Sequence, residues 1–290
     1  MNLGITLAPV RQKCEQEEQA LRMIRAAGFD CVDYSFHNLQ DPQMLSGPHY
    51  LDHARRVRAL LDTLGLRCTQ AHAPFDFRFG GKMSPEQPEW NAVVRSMEFA
   101  RILGARHIVV HSVLTPAQVD LVKYNVCYFK SFEEYCARFD IRIAFENIFD
   151  YDRTHRCMGR FETPALVREF LEQLDSTCFV ACLDMGHAAI SGVMPEDFIR
   201  GMTPETLCML HVQDTDYLDD RHQLPYMGLQ NWDAICRALA EIGYNGDFTF
   251  EIPGYFRRMP APLTAPALEM AASVGRYLIE QIERAKRAAV

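Results

Sequence analysis

The sequence at 182–187 reads Cys182-Leu183-Asp184-Met185-Gly186-His187, an apolar run that ends on a carboxylate and an imidazole. The same design returns a little further on in Met209-Leu210-His211-Val212-Gln213-Asp214. Parallel α/β barrels build their sites from buried strands that present polar side chains at their carboxyl ends. The two stretches therefore predict two such strands, with Asp184 and His211 at one site.

Two further segments end in the same way. Glu146 closes the apolar run at 143–145, and Glu251 closes the run at 248–250. Each polar residue alone has an ordinary explanation, such as an ion pair, a helix cap or a satisfied core histidine. Four such groups that converge without a cation would leave uncompensated buried charge, which is costly. Together they predict a divalent-metal site with three oxygen ligands and one nitrogen ligand, formed by Glu146, Asp184, His211 and Glu251.

Eight apolar segments alternate with helical ones along the chain. The predicted strands cover Met1–Pro9, Asp30–Phe36, Arg67–Ala73, His107–His111, Ile141–Asn147, Phe179–His187, Cys208–Asp214 and Asp247–Ile252. The predicted helices cover Gln16–Ala27, His49–Leu64, Ser84–Leu103, Pro116–Phe139, a segment opened by Thr163-Pro164, Pro195–Met202, a segment that ends at Gly243, and Pro266–Ala289. This alternation favours an α/β fold, a (β/α)8 TIM barrel, as a single domain over residues 1–290. A doubly wound open sheet is the alternative, but no G-x-G-x-x-G motif follows the first strand.

Composition narrows the class of protein. The chain has 290 residues, 48% of them hydrophobic, and a formal net charge of -8, which argues against a surface built for nucleic acid or an anionic membrane. The first residues lack a secretory signal, and no apolar run approaches the roughly 18 residues that a membrane span needs. The ten cysteines are scattered without a C-x-x-C pair, which indicates reduced thiols and a cytoplasmic protein.

A second set of polar residues follows the predicted strand ends. Its members are His72, His111, His187, Asp220 and His222, with His37 as a weaker candidate. They could be additional metal ligands in a cluster of two or three ions, or they could bind the hydroxyl groups of a substrate. Substrate binding requires no metal ion beyond the one already predicted, and it is the preferred interpretation.

The pattern resembles the xylose-isomerase-like TIM-barrel superfamily, the sugar phosphate isomerase/epimerase family that is related to AP endonuclease family 2. The motifs that carry the resemblance are Ala71-His72-Ala73-Pro74, Phe145-Glu146-Asn147, Leu183-Asp184-Met185-Gly186-His187, His211-Val212-Gln213-Asp214 and Phe250-Glu251-Ile252-Pro253-Gly254. The resemblance implies that the four predicted ligands bind one Mn²⁺, with Mg²⁺, Co²⁺ or Zn²⁺ as alternatives. It also implies that Glu146 and Glu251 form the acid–base pair and that His187 contacts substrate oxygens. Related barrels are often dimers or tetramers.

The predicted reaction is the isomerisation or epimerisation of a small sugar, a sugar phosphate or a keto-sugar through an enediolate that the cation stabilises. Elimination of a leaving group from the same intermediate would make the protein a dehydratase, or a lyase that acts on keto-sugar C-glycosides. A phosphodiesterase acting on abasic DNA is another alternative, because all nine ligand-type positions of the endonuclease branch have counterparts here. Dispersed arginines without a continuous basic stripe speak against nucleic acid as the partner. A non-catalytic sugar-binding subunit is the remaining alternative.

Overall fold

The computed structural model describes residues 1–36, 45, 47–75, 87–113, 120–151 and 157–288. In this part of the chain the strands are β1 (Leu3–Thr6), β2 (Cys31–Ser35), β3 (Arg67–His72), β4 (His107–Val110), β5 (Arg142–Glu146), β6 (Ile148–Tyr151), β7 (Cys157–Arg160), β8 (Phe179–Asp184), β9 (Leu207–His211) and β10 (Phe248–Phe250). The helices are α1 (Leu7–Arg11), α2 (Glu17–Ala26), α3 (Tyr50–Leu64), α4 (Pro88–Leu103), α5 (Leu121–Lys130), α6 (Glu133–Phe139), α7 (Pro164–Leu174), α8 (Met185–Ile190), α9 (Pro195–Arg200), α10 (Trp232–Glu241), α11 (Pro253–Arg257) and α12 (Thr264–Ala288).

Eight of these strands form one parallel sheet that closes on itself. Their order is β1-β2-β3-β4-β5-β8-β9-β10, and β10 pairs with β1 with Leu3 opposite Phe248. The seam between β9 and β10 is closed at Val212, whose N–H donates to the Thr249 carbonyl at 2.8 Å and whose carbonyl accepts from Glu251 N at 3.0 Å. The predicted (β/α)8 TIM barrel is therefore confirmed.

The barrel has two apolar layers, because successive side chains on a strand point to opposite faces. A small interior cluster comes from alternate residues of β4, β5, β8 and β9, namely Val109, Ala144, Val180, Cys182 and Met209. The intervening residues, such as Phe145 and Leu183, pack outward against the helices in a much larger core. This explains why the strands read as nearly continuous apolar runs.

Two predicted strands give way to a helix before their predicted ends. The first stops at Thr6 and continues as α1, where Pro9 is tolerated because the first turn of a helix leaves its N–H groups unpaired. The strand predicted over Phe179–His187 stops at Asp184, whose side chain accepts from His187 N at 2.8 Å and caps α8. His187 therefore lies on a short helix and not on a strand.

The long helix predicted over Pro116–Phe139 is two helices, α5 and α6. The break lies at Ser131, whose hydroxyl donates to the Tyr128 carbonyl at 2.6 Å and accepts from Trp90 Nε1 at 3.0 Å. This local bond competes with helix continuation. The predicted start of that helix at 116–119, and that of the preceding helix at 84–86, lie outside the described residues.

An antiparallel hairpin, which the sequence analysis did not predict, follows β5 directly. Strands β6 and β7 pair with Ile148 opposite Arg160. Each has only four residues, too few for a period of two to stand out. The hairpin begins one residue after Asn147 and therefore lies at the carboxyl end of the barrel, on the same side as the predicted ligands.

The last helix, α12, has 25 residues and packs against β1 and β10. Gly275 permits the close approach, because a Cβ atom there would lie 2.4 Å from Leu3 Cδ1. Among the described helices, none combines the length and the apolar character that crossing a bilayer requires.

Candidate metal centre

Strand alternation turns the predicted ligands into the barrel. Val180 and Cys182 belong to the interior cluster, so Asp184, two residues further along β8, points the same way. The same parity applies to the other predicted ligands, in the pairs Ala144–Glu146, Met209–His211 and Thr249–Glu251. The four side chains thus meet at the carboxyl end of four neighbouring strands.

Glu146, Asp184, His211 and Glu251 form one compact group. Each offers a ligand atom, and these atoms all lie within 4.8 Å of one another. His211 Nδ1 is the shared centre, 2.9 Å from Glu146 Oε1 and 3.2 Å from Glu251 Oε2. Glu251 is the most accessible of the four, with 17% of its side chain exposed, whereas Asp184 and His211 are fully buried.

The pKa values of the three carboxylates differ, because burial and the nearby histidines act on each of them to a different extent. Burial alone would raise the pKa of Glu146, but His211, His111 and His72 outweigh it and hold that pKa well below its usual range. The pKa of Glu251 falls to about 2, because His211 and His222 outweigh its burial. For Asp184 burial prevails and raises the pKa to about 6. One carboxylate of the group therefore lacks sufficient positive charge from the protein.

Asp33 on β2 contacts His211 on the side of the ring opposite Nδ1. The sequence did not predict this residue. Its Oδ2 lies 3.3 Å from His211 Nε2 and accepts a hydrogen bond from Gln70 Nε2 at 3.1 Å. Thr249 Oγ1 in turn donates to Gln70 Oε1 at 3.2 Å. Asp33 could have been recognised because it is the one carboxylate in the otherwise apolar segment Cys31–Tyr34. A fully buried aspartate requires a partner.

His72 and His111 stand on the other side of Glu146. Their Nε2 atoms lie 3.5 and 2.9 Å from Glu146 Oε2 and 3.1 Å from each other. His72 Nδ1 lies 2.8 Å from the Ala73 carbonyl. Since a carbonyl only accepts, that nitrogen carries a proton and Nε2 faces the cluster. These three residues form a second group that could hold a metal ion.

Asp220 links the two remaining predicted histidines. Its Oδ2 lies 2.8 Å from His222 Nε2 and 3.7 Å from His187 Nε2. Both histidines direct Nδ1 to a backbone carbonyl, at Glu251 and Asn147 respectively. Although burial opposes it, Asp220 raises the pKa of His222 to about 9, and Asp184 and Asp220 raise that of His187 well above its usual value. Asp184, His187 and His222 form a third group with metal-ligand geometry.

Gln213 connects the predicted ligand Asp184 to this outer group. Its Nε2 donates to Asp184 Oδ1 at 3.0 Å and to Asp220 Oδ1 at 2.9 Å, and its Oε1 accepts from His222 N at 2.8 Å. Gly186 leaves room for this side chain, because a Cβ atom there would lie 2.3 Å from Gln213 Cδ. The motif at 211–214 contains Gln213, but the sequence did not predict that this residue bridges Asp184 and Asp220.

The loop that carries Asp220 and His222 is braced by a buried carboxylate, Asp214. Its oxygens accept from Trp232 Nε1 and Tyr226 N, both at 2.9 Å, and from Gln230 N at 3.2 Å. The loop is therefore fixed at both ends. His37, the weaker candidate, lies outside the described residues.

A cavity of about 420 Å³ opens onto the group. Its lining includes Glu251, Asp220 and His222 together with Thr6, Ser35 and Phe75. This is within the size range of sites for small organic ligands. Glu146 and Asp184 lie deeper and do not line it.

A divalent cation fits the donor set of the four-residue group. Three carboxylates and one imidazole suit Mn²⁺, Mg²⁺ or Co²⁺, with Zn²⁺ also accepted. Glu146 Oε2 is buried without a well-aligned hydrogen bond, which leaves that oxygen able to accept a cation. The arrangement of His211 between Asp33 and the ligand group matches the carboxylate–histidine–metal pattern of protein metal sites.

A family model described as xylose isomerase-like TIM barrel matches residues 21–274. Among curated proteins, the uncharacterized protein y4fM of Sinorhizobium fredii (strain NBRC 101917 / NGR234) is 25% identical over 165 residues. That match covers 54% of this chain and 50% of the relative, so the chain spans about half the length of the curated relative that it matches.

Several solved structures share the fold over nearly the whole chain. A D-tagatose 3-epimerase-like protein superposes with a TM-score of 0.76 at 20% identity, covering 100% of both chains. An L-ribulose 3-epimerase gives 0.72 at 20% identity, covering 99% of this chain and 96% of the other. An IolI protein with a bound zinc atom gives 0.71 at 19% identity, covering 97% and 98%. At these identities the likeness establishes the fold.

Proposed function

The chain belongs to the xylose isomerase-like TIM-barrel family, and from that premise we propose that it is a divalent-metal-dependent enzyme that isomerises or epimerises a small keto-sugar. The proposed ligands are Glu146, Asp184, His211 and Glu251, and the proposed ion is one Mn²⁺. When bound, the ion would act as a Lewis acid on the carbonyl and neighbouring hydroxyl oxygens of the sugar. The printed names of the D-tagatose-3-epimerase-like and L-ribulose 3-epimerase structures support the substrate class.

One observation carries the proposal, namely that two glutamates approach the same imidazole nitrogen from separate strands. Glu146 Oε1 and Glu251 Oε2 both lie close to His211 Nδ1, at 2.9 and 3.2 Å. Each carboxylate has a second oxygen that His211 does not engage. In Glu251 that oxygen can take a proton from a substrate carbon, and in Glu146 it lies 2.9 Å from His111 Nε2, with which it can exchange a proton.

The two glutamates have different protonation environments. Glu251 lines the cavity and, with its pKa at about 2, is an anion at neutral pH, as a proton acceptor must be. Glu146 is buried, and His111 Nε2, 2.9 Å from its Oε2, can supply or receive a proton there. We assign Glu251 to proton removal on the open side and Glu146 to proton return on the buried side. Transfer between opposite faces of one carbon yields epimerisation, whereas transfer along one face yields isomerisation.

The outer polar residues would orient the sugar. Among them, His72 and His111 direct Nε2 to Glu146, whereas His187 and His222 direct Nε2 to Asp220. The set consists of His72, His111, His187, Asp220 and His222. Hydroxyl groups can both donate and accept, so a mixed set of imidazoles and one carboxylate suits a polyol. In this proposal these five residues bind substrate and hold no additional ion.

A second candidate function is a phosphodiesterase that acts on abasic DNA. It is favoured by the two further groups with metal-ligand geometry, around His72 and His187. Several ions clamped on a phosphate would account for both groups. The net charge of -8 weighs against it, because DNA binding depends on neutralising phosphates.

The test combines metal analysis with solvent-deuterium incorporation. The Mn²⁺-loaded protein is incubated in D₂O with a panel of keto-sugars, and deuterium at the carbon beside the carbonyl is measured by mass spectrometry. We expect exchange with at least one ketose, one ion per chain, and loss of exchange by at least about 100-fold in Glu251→Gln. Glu172→Gln, an exposed glutamate on α7, is the matched control and should keep full exchange.

Four results would contradict the proposal. Undiminished exchange in Glu251→Gln would remove that residue from the chemistry. Several ions per chain together with cleavage of abasic DNA would select the phosphodiesterase. Sugar binding without exchange in the wild-type protein would indicate a binding subunit, and release of a leaving group would indicate a lyase.

A further inference from the structure

Cationic side chains line the same cavity as Glu251. Lys13 and Arg257 both contribute to its wall, and Arg257 also lines an adjoining cavity of about 520 Å³ together with Arg258. Lys13 Nζ donates to the Arg257 carbonyl at 3.3 Å, which holds the two residues side by side. Lys13 is half-buried, whereas both arginines are exposed. A positive region therefore adjoins the carboxylates and imidazoles of the site.

The fold places this region at the functional end of the barrel. Lys13 follows α1, which continues directly from β1, and Arg257 ends α11, which begins shortly after β10. Since β1 and β10 are paired neighbours, the two segments emerge side by side at the carboxyl end. That end is where barrels of this type bind their ligands.

Among the residues that the structure describes, these positive charges have no carboxylate partner. Arg221, on the nearby loop, is held by Asp216 and Asp219, both at 2.9 Å. By contrast, within the described ranges no carboxylate pairs with Lys13, Arg257 or Arg258. This is notable in a chain that carries 38 acidic and 30 basic residues. Lys13 uses one of its three N–H donors on the Arg257 carbonyl, and the charge of all three side chains is left unneutralised by the described part of the chain.

The acidic residues of the cavity already have partners of their own. Asp220 is held by His222 Nε2 at 2.8 Å and by Gln213 Nε2 at 2.9 Å. Glu251 lies 3.2 Å from His211 Nδ1. An incoming anion beside Lys13 would thus meet carboxylates whose charge is largely compensated by imidazoles.

We infer that the sugar bound at this site carries an anionic group, a phosphate monoester or a carboxylate, which Lys13 and Arg257 bind at the cavity wall. This inference rests on the proposed function, since it places the keto end of the same molecule beside Glu251. The guanidinium fork of Arg257 and the ammonium of Lys13 supply charge-assisted hydrogen bonds to either kind of anion. A cavity of about 420 Å³, joined to the second one at Arg257, accommodates a sugar with such a group.

The test compares matched ketoses that differ only in charge. Dissociation constants of D-fructose, D-fructose 6-phosphate and D-fructuronate are measured by calorimetry with the Mn²⁺-loaded protein. We expect at least one anionic ketose to bind about 10-fold more tightly than fructose or better, in line with the strength of hydrogen bonds between charged groups. The preference should shrink in 0.5 M salt, because the region is exposed. The two anionic probes separate a phosphate site from a carboxylate site.

The variant Lys13→Gln/Arg257→Gln should lose the preference for the anion and keep the affinity for fructose. Arg106→Gln is the control, since Arg106 is exposed and lines a cavity at the amino end of the barrel. Equal affinities of all three ketoses for the wild-type protein would overturn the inference, as would a double variant that weakens the neutral and anionic ketoses alike. Displacement of every ketose by abasic-site DNA would reassign the region to nucleic acid.

This experiment separates the inference from the proposed function. Charge-dependent binding without deuterium exchange would leave the anion site standing and remove the isomerase chemistry. Deuterium exchange without any charge preference would do the reverse.

Discussion

His211 lies between Asp33 and Glu146, with Nε2 3.3 Å from Asp33 Oδ2 and Nδ1 2.9 Å from Glu146 Oε1. The ring is fully buried, so these two contacts determine its orientation. Asp33 is in turn held by Gln70 Nε2 at 3.1 Å. These contacts hold the ring so that Nδ1 faces Glu146 and Glu251.

Asp33→Asn should weaken Mn²⁺ binding by about 10-fold or more, the usual effect of losing an outer partner of a metal-binding histidine. The affinity is measured on the metal-free protein by competition with a chromophoric chelator, so that activity is not needed as a readout. Asp30→Asn is the control, because Asp30 precedes β2 and its ion pair with Arg276 lies at the amino end of the barrel. Equal affinities of Asp33→Asn and the wild type would show that Asp33 does not orient His211.

Gly186→Ala should destabilise the protein by about 2 kcal/mol, because the added methyl group collides with the Gln213 side chain. The same change in a Gln213→Ala background should cost less than about 1 kcal/mol, since the obstructing atoms are gone. Urea unfolding of the four proteins measures the coupling. Additive costs would mean that the clash is relieved elsewhere and that Gln213 is not confined by Gly186.

Divalent cations should stabilise the fold. Mn²⁺ at 100 times its dissociation constant contributes about 2.7 kcal/mol, which raises Tm by roughly 5 °C for a chain of this size. Calorimetry with and without a chelator measures the shift. The double variant Glu146→Gln/Glu251→Gln should show almost none of it, whereas Glu241→Gln, on the exposed side of α10, should keep it. A shift of equal size in the double variant would place the cation elsewhere.

Glu17 provides a pH-dependent contribution away from the metal centre. Its Oε2 accepts from Tyr34 OH at 2.7 Å and pairs with the buried Arg11 at 3.2 Å. Burial opposes ionisation, but His53, Tyr34 and Arg11 outweigh it and lower the pKa. Glu17→Gln should therefore cost about 3 kcal/mol at pH 7, because a buried guanidinium loses its partner.

The pH dependence of that cost has a definite sign. A lowered folded pKa means that the stabilisation is complete above the unfolded value of about 4.3 and disappears as the pH falls through the folded value. The difference between the wild type and Glu17→Gln should thus be constant from pH 7 to pH 5 and shrink in more acidic solution. Glu18→Gln, which breaks only an exposed pair with Arg22, should cost less than about 1 kcal/mol. A cost of Glu17→Gln that grows on acidification would refute this account.

The sequence was sufficient to predict the barrel and to name the residues that meet inside it. Asp184 and His211 were recognisable because each ends an apolar run, and in a closed parallel sheet such ends must converge. Glu146 and Glu251 followed by the same reasoning. The structure brings all four together, and their roles as ligands and acid–base groups are proposals that the experiments above test.

What could not be read from the sequence depends on contacts between distant segments. Asp33 lies 178 positions before its partner His211, and nothing local signals that pairing. Ser131, where the predicted helix breaks, accepts a hydrogen bond from Trp90, 41 positions away. The positive region at Lys13 and Arg257 joins residues near both ends of the chain, which only closure of the barrel brings together. Propensity and periodicity describe neighbours along the chain and are silent on such pairs.

The backbone hydrogen bonds at Val212 join the segments that carry His211 and Glu251, so they respond to any change in the separation of these two residues. Val212 follows the proposed ligand His211, and its carbonyl accepts from the amide of the proposed ligand Glu251, while its own amide donates to the Thr249 carbonyl. Any widening between the two ligands must therefore first break these bonds and expose the amides of Val212 and Glu251 to solvent. Hydrogen–deuterium exchange at these two amides would report, site by site and without a substrate, how often the metal centre opens.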